Sequence, residues 1–408
     1  MSFSQDRWRF IVEEARTGNI LSRDLVVEKP KLLRALSGPA NIQFDINYRE
    51  YSAQGIFFKP WGHWIHAEKM IAGERKIWAS GLVVPSKVDK KSGVMHLEAQ
   101  GFSAYMKKMP WLDNWNPLAC DAFEPFHKVW THLQSFADGN LGVQVYPAIS
   151  GIEMLPGYAF DGNITNLNFF AEFIRAEDKA DCGDFCDALA RDIPFDYVEQ
   201  SAWNADRTAI DKKLFLGYPY AGAQQDNLAF IQNENVIEMD PHLESEMDWA
   251  SAVIVDGWFP GTEISSTFEN ADPTRFRRVV MQDDARLNTD ERAAAWARKK
   301  LAKRQSPSYW DSIMIDPDHP NAPFGYYDVA DRIWVRGFQP FVGDVNQLHK
   351  IIAIGYDSEQ QQCQLTLKAE GAFDYDPIYF PGSSDGSMTL SVPATMGVPV
   401  AMGAPTLG

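Results

Sequence analysis

Residues Asn41-Ile42-Gln43-Phe44-Asp45-Ile46-Asn47 alternate apolar and polar, the period of a strand with one buried face. Similar short runs recur from Trp8 to Glu13, Ile20 to Val27, Trp64 to Glu68, Lys76 to Val84 and Val94 to Gly101. Turn signals separate them, at Thr17-Gly18-Asn19 and at Gly38-Pro39. Short strands at this spacing predict a small barrel or sandwich.

Past Pro110 the period changes. Phe126, Val129, Trp130 and Leu133 lie at i, i+3, i+4 and i+7, which predicts an amphipathic helix closed by Asp138-Gly139-Asn140. A second helix is expected around Asp184 to Ala190, and strands at Ala229-Phe230-Ile231 and Ala252-Val253-Ile254-Val255. A third helix begins near Asn288, a capping side chain with Glu291 three residues on. Ala294, Ala297 and Leu301 form its inner stripe, and Arg298-Lys299-Lys300 through Lys303-Arg304 suit the negative pole of its dipole. This helix reads as a connector to a second β-region.

The pattern gives a mainly β chain with an α+β insertion. Residues 1–112 form an N-terminal β-barrel-like domain, and 113–305 an α+β middle region ending in the connector helix. Residues 306–380 form a C-terminal β-barrel-like domain, and 381–408 a Gly/Pro/Ala-rich arm. That arm has no charge after Asp385, yet Leu390, Val392, Met396, Val398, Val400 and Met402 make it apolar enough to lie along another subunit.

Two stretches read as versions of one another. Ile77-Trp78 with Gly81 precedes Leu97-Glu98-Ala99-Gln100-Gly101 and Tyr105; Ile333-Trp334 with Gly337 precedes Leu367-Lys368-Ala369-Glu370-Gly371 and Tyr375. The repeat predicts that the two β-regions superimpose, with Trp78 and Trp334 in like positions. A duplicated β-domain lets a homotrimer present six similar modules in one ring.

Composition narrows the possible functions. With 45% hydrophobic and 23% charged residues among 408, the chain is a globular protein of two to four domains. No apolar run approaches the roughly 20 residues of a membrane helix. The first residues lack the basic-then-apolar layout of a signal peptide, so the expectation is a protein made in the cytosol. A net charge of −17 argues against phosphate binding but suits a channel wall through which DNA slides.

No catalytic, cofactor-binding or metal-binding residue is assigned. His63 and His66, three apart in a strand, face opposite ways; His127 and His132, five apart on a helix of ~3.6 residues per turn, lie roughly 140° apart. Neither pair suits one metal. Cys182 and Cys186 share a helical face as packing residues, and Cys120 and Cys363 are scattered. Asp316-Pro317-Asp318-His319-Pro320 begins like a calcium loop without its Gly and terminal Glu. Asp283-Asp284 would serve a glycosidase only at the right separation from a second carboxylate.

The ordered set of motifs resembles the tail-hub, or minor tail, proteins of long-tailed phages infecting actinobacteria, in the wider baseplate-hub group. It is carried by Glu14-Ala15-Arg16-Thr17-Gly18-Asn19-Ile20-Leu21, Leu36-Ser37-Gly38-Pro39, Trp64-Ile65-His66-Ala67-Glu68 and Ile77-Trp78 with Gly81. Ala99 to Tyr105, Ile193-Pro194-Phe195-Asp196-Tyr197, Leu216-Gly217-Tyr218-Pro219 and the Asn288 helix complete it, over residues 7 to 380. The resemblance implies a structural virion protein at the tail tip, made in the host cytoplasm and not an enzyme. It implies a homotrimer closing a pseudo-sixfold ring below the distal tail protein ring, among other tail-tip proteins. That ring would pass the tape measure protein and then DNA. The alternatives are a carbohydrate- or receptor-binding tail module, motivated by 13 Trp residues, and a cell-wall hydrolase.

Overall fold

The computed structural model describes residues 8–53, 55–115, 120–154, 176–193, 195–242, 249–259, 262–283, 290–306, 308–340 and 342–373. The alternating runs become strands where the pattern places them. β1 (Arg9–Glu14), β2 (Ile20–Leu25), β3 (Glu28–Ala35) and β4 (Asn41–Asn47) come first, then the short helix α1 (Tyr48–Ala53). β5 (His63–Ile71) and β6 (Glu74–Val83) form a hairpin, as do β7 (Lys87–Asp89) and β8 (Val94–Gln100). At the first hairpin Ala72 and Gly73 take φ of 52° and 81°, the paired left-handed residues of a twist-matched two-residue turn.

The chain continues through β9 (Cys120–Asp121), α2 (Glu124–Ser135), β10 (Val143–Val145), β11 (Glu153–Met154) and α3 (Cys182–Asp192). Next come β12 (Asp196–Trp203), β13 (Ile210–Gly217), β14 (Phe230–Ile231) and β15 (Val236–Pro241). β16 (Ala252–Phe259), β17 (Thr262–Glu269), β18 (Val279–Asp283) and α4 (Asp290–Gln305) follow. The last strands are β19 (Trp310–Ile315), β20 (Arg332–Gln339), β21 (Gly343–Asp357) and β22 (Gln362–Ala369).

Strands from both ends of the chain join one 14-stranded sheet, ordered β15-β19-β22-β21-β3-β4-β8-β6-β5-β1-β2, with β14 and β20 branching at β21 and β7 at β8. The described strands follow an open path and do not close into a barrel. β3 is the seam, pairing antiparallel with β21 on one side and β4 on the other. One apolar core spans the seam and contains Trp8, Phe10 and Phe44 beside Trp310, Ile354 and Leu365.

Within this sheet two four-strand sets share one plan. β4-β8-β6-β5 and β19-β22-β21-β20 have the same spatial order, the same chain order and antiparallel pairing throughout. The Leu-x-Ala-x-Gly half of the repeat fits this plan. β8 and β22 are equivalent strands, and each runs into a 3-10 turn, Phe102–Met106 and Glu370–Ala372.

The Ile-Trp half does not fit. Trp78 lies on β6, the third strand of its set, whereas Trp334 lies on β20, the second of its own. Trp78 is in the shared core with Ile77 outside it; in the other set Ile333 is in the core and Trp334 is half-buried. A one-residue change of face follows from the period of two, so the tryptophans occupy unlike positions.

The middle region holds two separate cores. In the first, α2 and α3 pack with β10-β13-β12, and Phe126, Val129, Trp130 and Leu133 are all buried as the spacing predicts. α3 extends beyond the expected 184–190, and the Asp181 carboxylate caps it by accepting from Gly183 N and Asp184 N. In the second, α4 lies on β17-β16-β18, with Trp296, Ala297 and Leu301 against Val253 and Val255. Here Trp296 sets the buried face, so Ala293 is buried and Ala294 only half-buried. α4 is therefore not a bare connector. β14 and β15 already belong to the large sheet, through β20 and β19. Asn288 and the 381–408 arm lie outside the described residues.

Candidate functional site

The large sheet and the α2–α3 unit meet across a joint of buried charges. β12 is covered on both sides, so Asp196, Tyr197, Val198 and Glu199 are all buried in succession. Charges placed there need partners, because an unpaired buried ion is costly. Glu199 accepts hydrogen bonds from Ala40 N at 3.1 Å and Ser103 N at 2.6 Å. Arg34 donates to the Glu199 backbone carbonyl at 3.1 Å and pairs with Asp328 at 2.7 Å. Burial pushes the Glu199 carboxyl up to about 7, against the opposing pull of both N–H groups and Arg34. Asp196, also raised by burial, pairs with Lys350 at 2.6 Å.

A second cluster ties β13 to β1, β5 and β6. Lys212 donates to Glu13 at 2.8 Å and lies 4.8 Å from the centre of the Trp64 ring. His66 contacts Glu13 at 3.1 Å and Ser80 at 2.7 Å. Burial alone would raise Glu13, but His66 and Lys212 hold it below its ordinary value. Burial pushes His66 below its ordinary value, against the opposing pull of Glu13. At the seam the Lys69 ammonium sits 4.8–5.6 Å from the rings of Trp8, Phe324 and Tyr356, which come from both ends of the chain.

Ser80–His66–Glu13 has the contact order of a hydrolytic triad. Its members are 3%, 0% and 3% exposed, and Lys212 takes the second Glu13 oxygen. A nucleophile sealed in this way meets no substrate. The cluster ties the two sheets together, and it is not legible in the sequence. The only available signal was charge at strand positions, which names no partner.

The residues weighed earlier for metal chemistry stay apart. His63 accepts from Lys59 N, and His132 accepts from Leu112 N. Cys182 and Cys186 are buried free thiols, as are Cys120 and Cys363. Asp316 caps a turn at Asp318 N, and Asp284 lies outside the described residues. Among the described residues no group of three or more His, Cys, Asp or Glu could hold a metal, and no helix is long and apolar enough to cross a membrane.

Glu199 gives a pH signature. Its folded-state value, about 7, lies above the ordinary 4.5, so the folded state binds the proton more tightly. Its contribution therefore favours folding as pH falls from 7 towards 4.5 and is lost as pH rises through 7. The stability of the wild type relative to Glu199→Gln should grow on going from pH 8 to pH 5, by up to about 3 kcal/mol. Urea titrations of both proteins at several pH values measure it; a constant difference contradicts it.

Among the described residues, several strands end their sheets outside the joint. β2 and β15 end the large sheet, and β17 and β18 flank β16 in the small one. Leu21 on β2, Ile237 on β15, and Val279 and Met281 on β18 are exposed, with Phe276 just before β18. In general, strand edges that carry exposed apolar side chains can pair with other chains.

No protein-family model and no curated protein sequence matches this chain. Solved structures do. The 43 kDa tail protein of prophage MuSo2 from Shewanella oneidensis is 12% identical, with a TM-score of 0.60 over 90% of this chain and 99% of that one. A tail protein from Neisseria meningitidis MC58 is 13% identical, with a TM-score of 0.53 over 91% and 100%. The prophage tail protein gp18 from Listeria monocytogenes EGD-e is 11% identical, with a TM-score of 0.51 over 89% and 95%. The fold of this chain, along nearly its whole length, is similar to that of phage tail proteins.

Proposed function

We propose that the chain is a structural subunit of a phage tail hub. Three copies would form a ring of pseudo-sixfold symmetry that joins the distal tail protein ring to the tip and passes tape measure and DNA. The observation that carries this reading is the duplicated strand plan, β4-β8-β6-β5 and β19-β22-β21-β20, within one sheet. Two like sets per subunit let three subunits offer six like faces to a sixfold neighbour. The likeness to tail proteins supports the same class, and the charge of −17 suits a lumen that does not hold DNA.

The buried charges link the large sheet to the α2–α3 unit at separated points, as a subunit held in an assembly would need. The tryptophans give a sugar-binding reading little support, since Trp8, Trp64, Trp78, Trp111, Trp130, Trp296 and Trp310 are all buried. Light scattering of the purified protein over a range of concentrations should converge on three chain masses. A mass of one chain at all concentrations, or a lytic band on host peptidoglycan, would overturn the proposal.

A further inference from the structure

A groove of about 1240 Å³ lies between the end of α4 and β22, and it is basic although the chain as a whole is acidic. Lys303 and Arg304 reach its wall from the helix and Lys368 from the strand. Among the described residues no ion pair engages these three. The acids of the groove are already engaged: Asp311 with His242 at 2.7 Å, and Asp272 with Thr274 and Arg275.

Basic residues at a helix end ordinarily complement its dipole, which accounts for Lys303 and Arg304 alone. Lys368 has no such reason, because it comes from a strand. Its ammonium sits 4.7 Å from the Phe373 ring centre, as does that of Lys350, which is held by Asp196. Burial, then the charges of Lys303 and Lys350, push Lys368 down to about 8. The fold thus gathers like charges that an external anion would relieve.

We propose that this groove binds a short acidic peptide segment of a partner protein. Trp249, Tyr309 and Leu367 add apolar wall to the basic one, which suits peptide side chains better than bare phosphate. A long polyanion would meet the negative remainder of the molecule, whereas a few carboxylates fit within the groove. This inference is independent of the hub reading.

The test uses the full chain and a fluorescein-labelled hexaglutamate peptide, followed by anisotropy at two salt concentrations. Saturable binding, weaker at high salt, is expected, with a loss of roughly tenfold or more in the Lys303→Glu/Lys368→Gln variant. Lys91→Glu, at an exposed turn, should change nothing. If the double variant does not fold, Arg304→Glu carries the same expectation. Absence of saturable binding, equal binding by the variants, or tighter binding of a hexathymidylate oligonucleotide would overturn the proposal.

Discussion

Gly101→Ala is expected to destabilise the protein by about 3–5 kcal/mol, the range for breaking a buried charge interaction. A Cβ at this position would lie 2.0 Å from the Glu199 Oε2 and 2.5 Å from the Ala40 backbone nitrogen. The carboxylate must move, and so must the Ala40 backbone, which cannot do so cheaply. The carboxylate then loses the N–H groups of Ala40 and Ser103 while still buried, and the desolvation of its charge is left uncompensated. Gly38→Ala is the control, because its added methyl meets no atom closer than 3.5 Å and should cost less than about 1 kcal/mol. Urea midpoints of the three proteins measure this. Equal midpoints for Gly101→Ala and Gly38→Ala would remove Glu199 from the joint.

Lys212→Met is expected to cost about 3–5 kcal/mol through the other cluster. It leaves the Glu13 carboxylate buried without its 2.8 Å counter-ion. The wild-type Glu13 has a lowered pKa, so its contribution is present above pH 4.5 and lost as pH falls through the folded value. Without Lys212 part of the pull that lowers Glu13 is lost, so the difference in stability between wild type and variant should shrink as pH falls. Adding Glu13→Gln to Lys212→Met should recover part of the loss, a coupling that a double-mutant cycle reads directly. Strict additivity would mean that the two side chains do not act together.

Much of the strand framework was legible because it depends on local period. Asn41–Asn47 alternates without exception, and β4 has those bounds. Phe126, Val129, Trp130 and Leu133 specify α2 by spacing alone. The partners within the joint were not legible, since Glu13 and Lys212 are 199 residues apart and Ser103 and Glu199 are 96 apart. Nothing local distinguishes a charge that finds a buried partner from one that faces water.

The repeat shows the same limit. Leu97-x-Ala99-x-Gly101 and Leu367-x-Ala369-x-Gly371 mark equivalent strands because in both the strand ends in a 3-10 turn. Gly101 in addition leaves room for a carboxylate that comes from another unit. Ile77-Trp78 and Ile333-Trp334 share letters but not strand or face, since two residues are too few to fix a register. The duplication lies in strand order, which the sequence motif only half records.

The hub reading rests on that duplication, and a reconstruction of the assembled tail tip, computed without imposed symmetry, tests it most directly. The expected result is three copies of this chain around the axis, with the β4-β8-β6-β5 and β19-β22-β21-β20 sets alternating at six near-equivalent positions. A ring of any other copy number, or sets at unrelated radii, would contradict it.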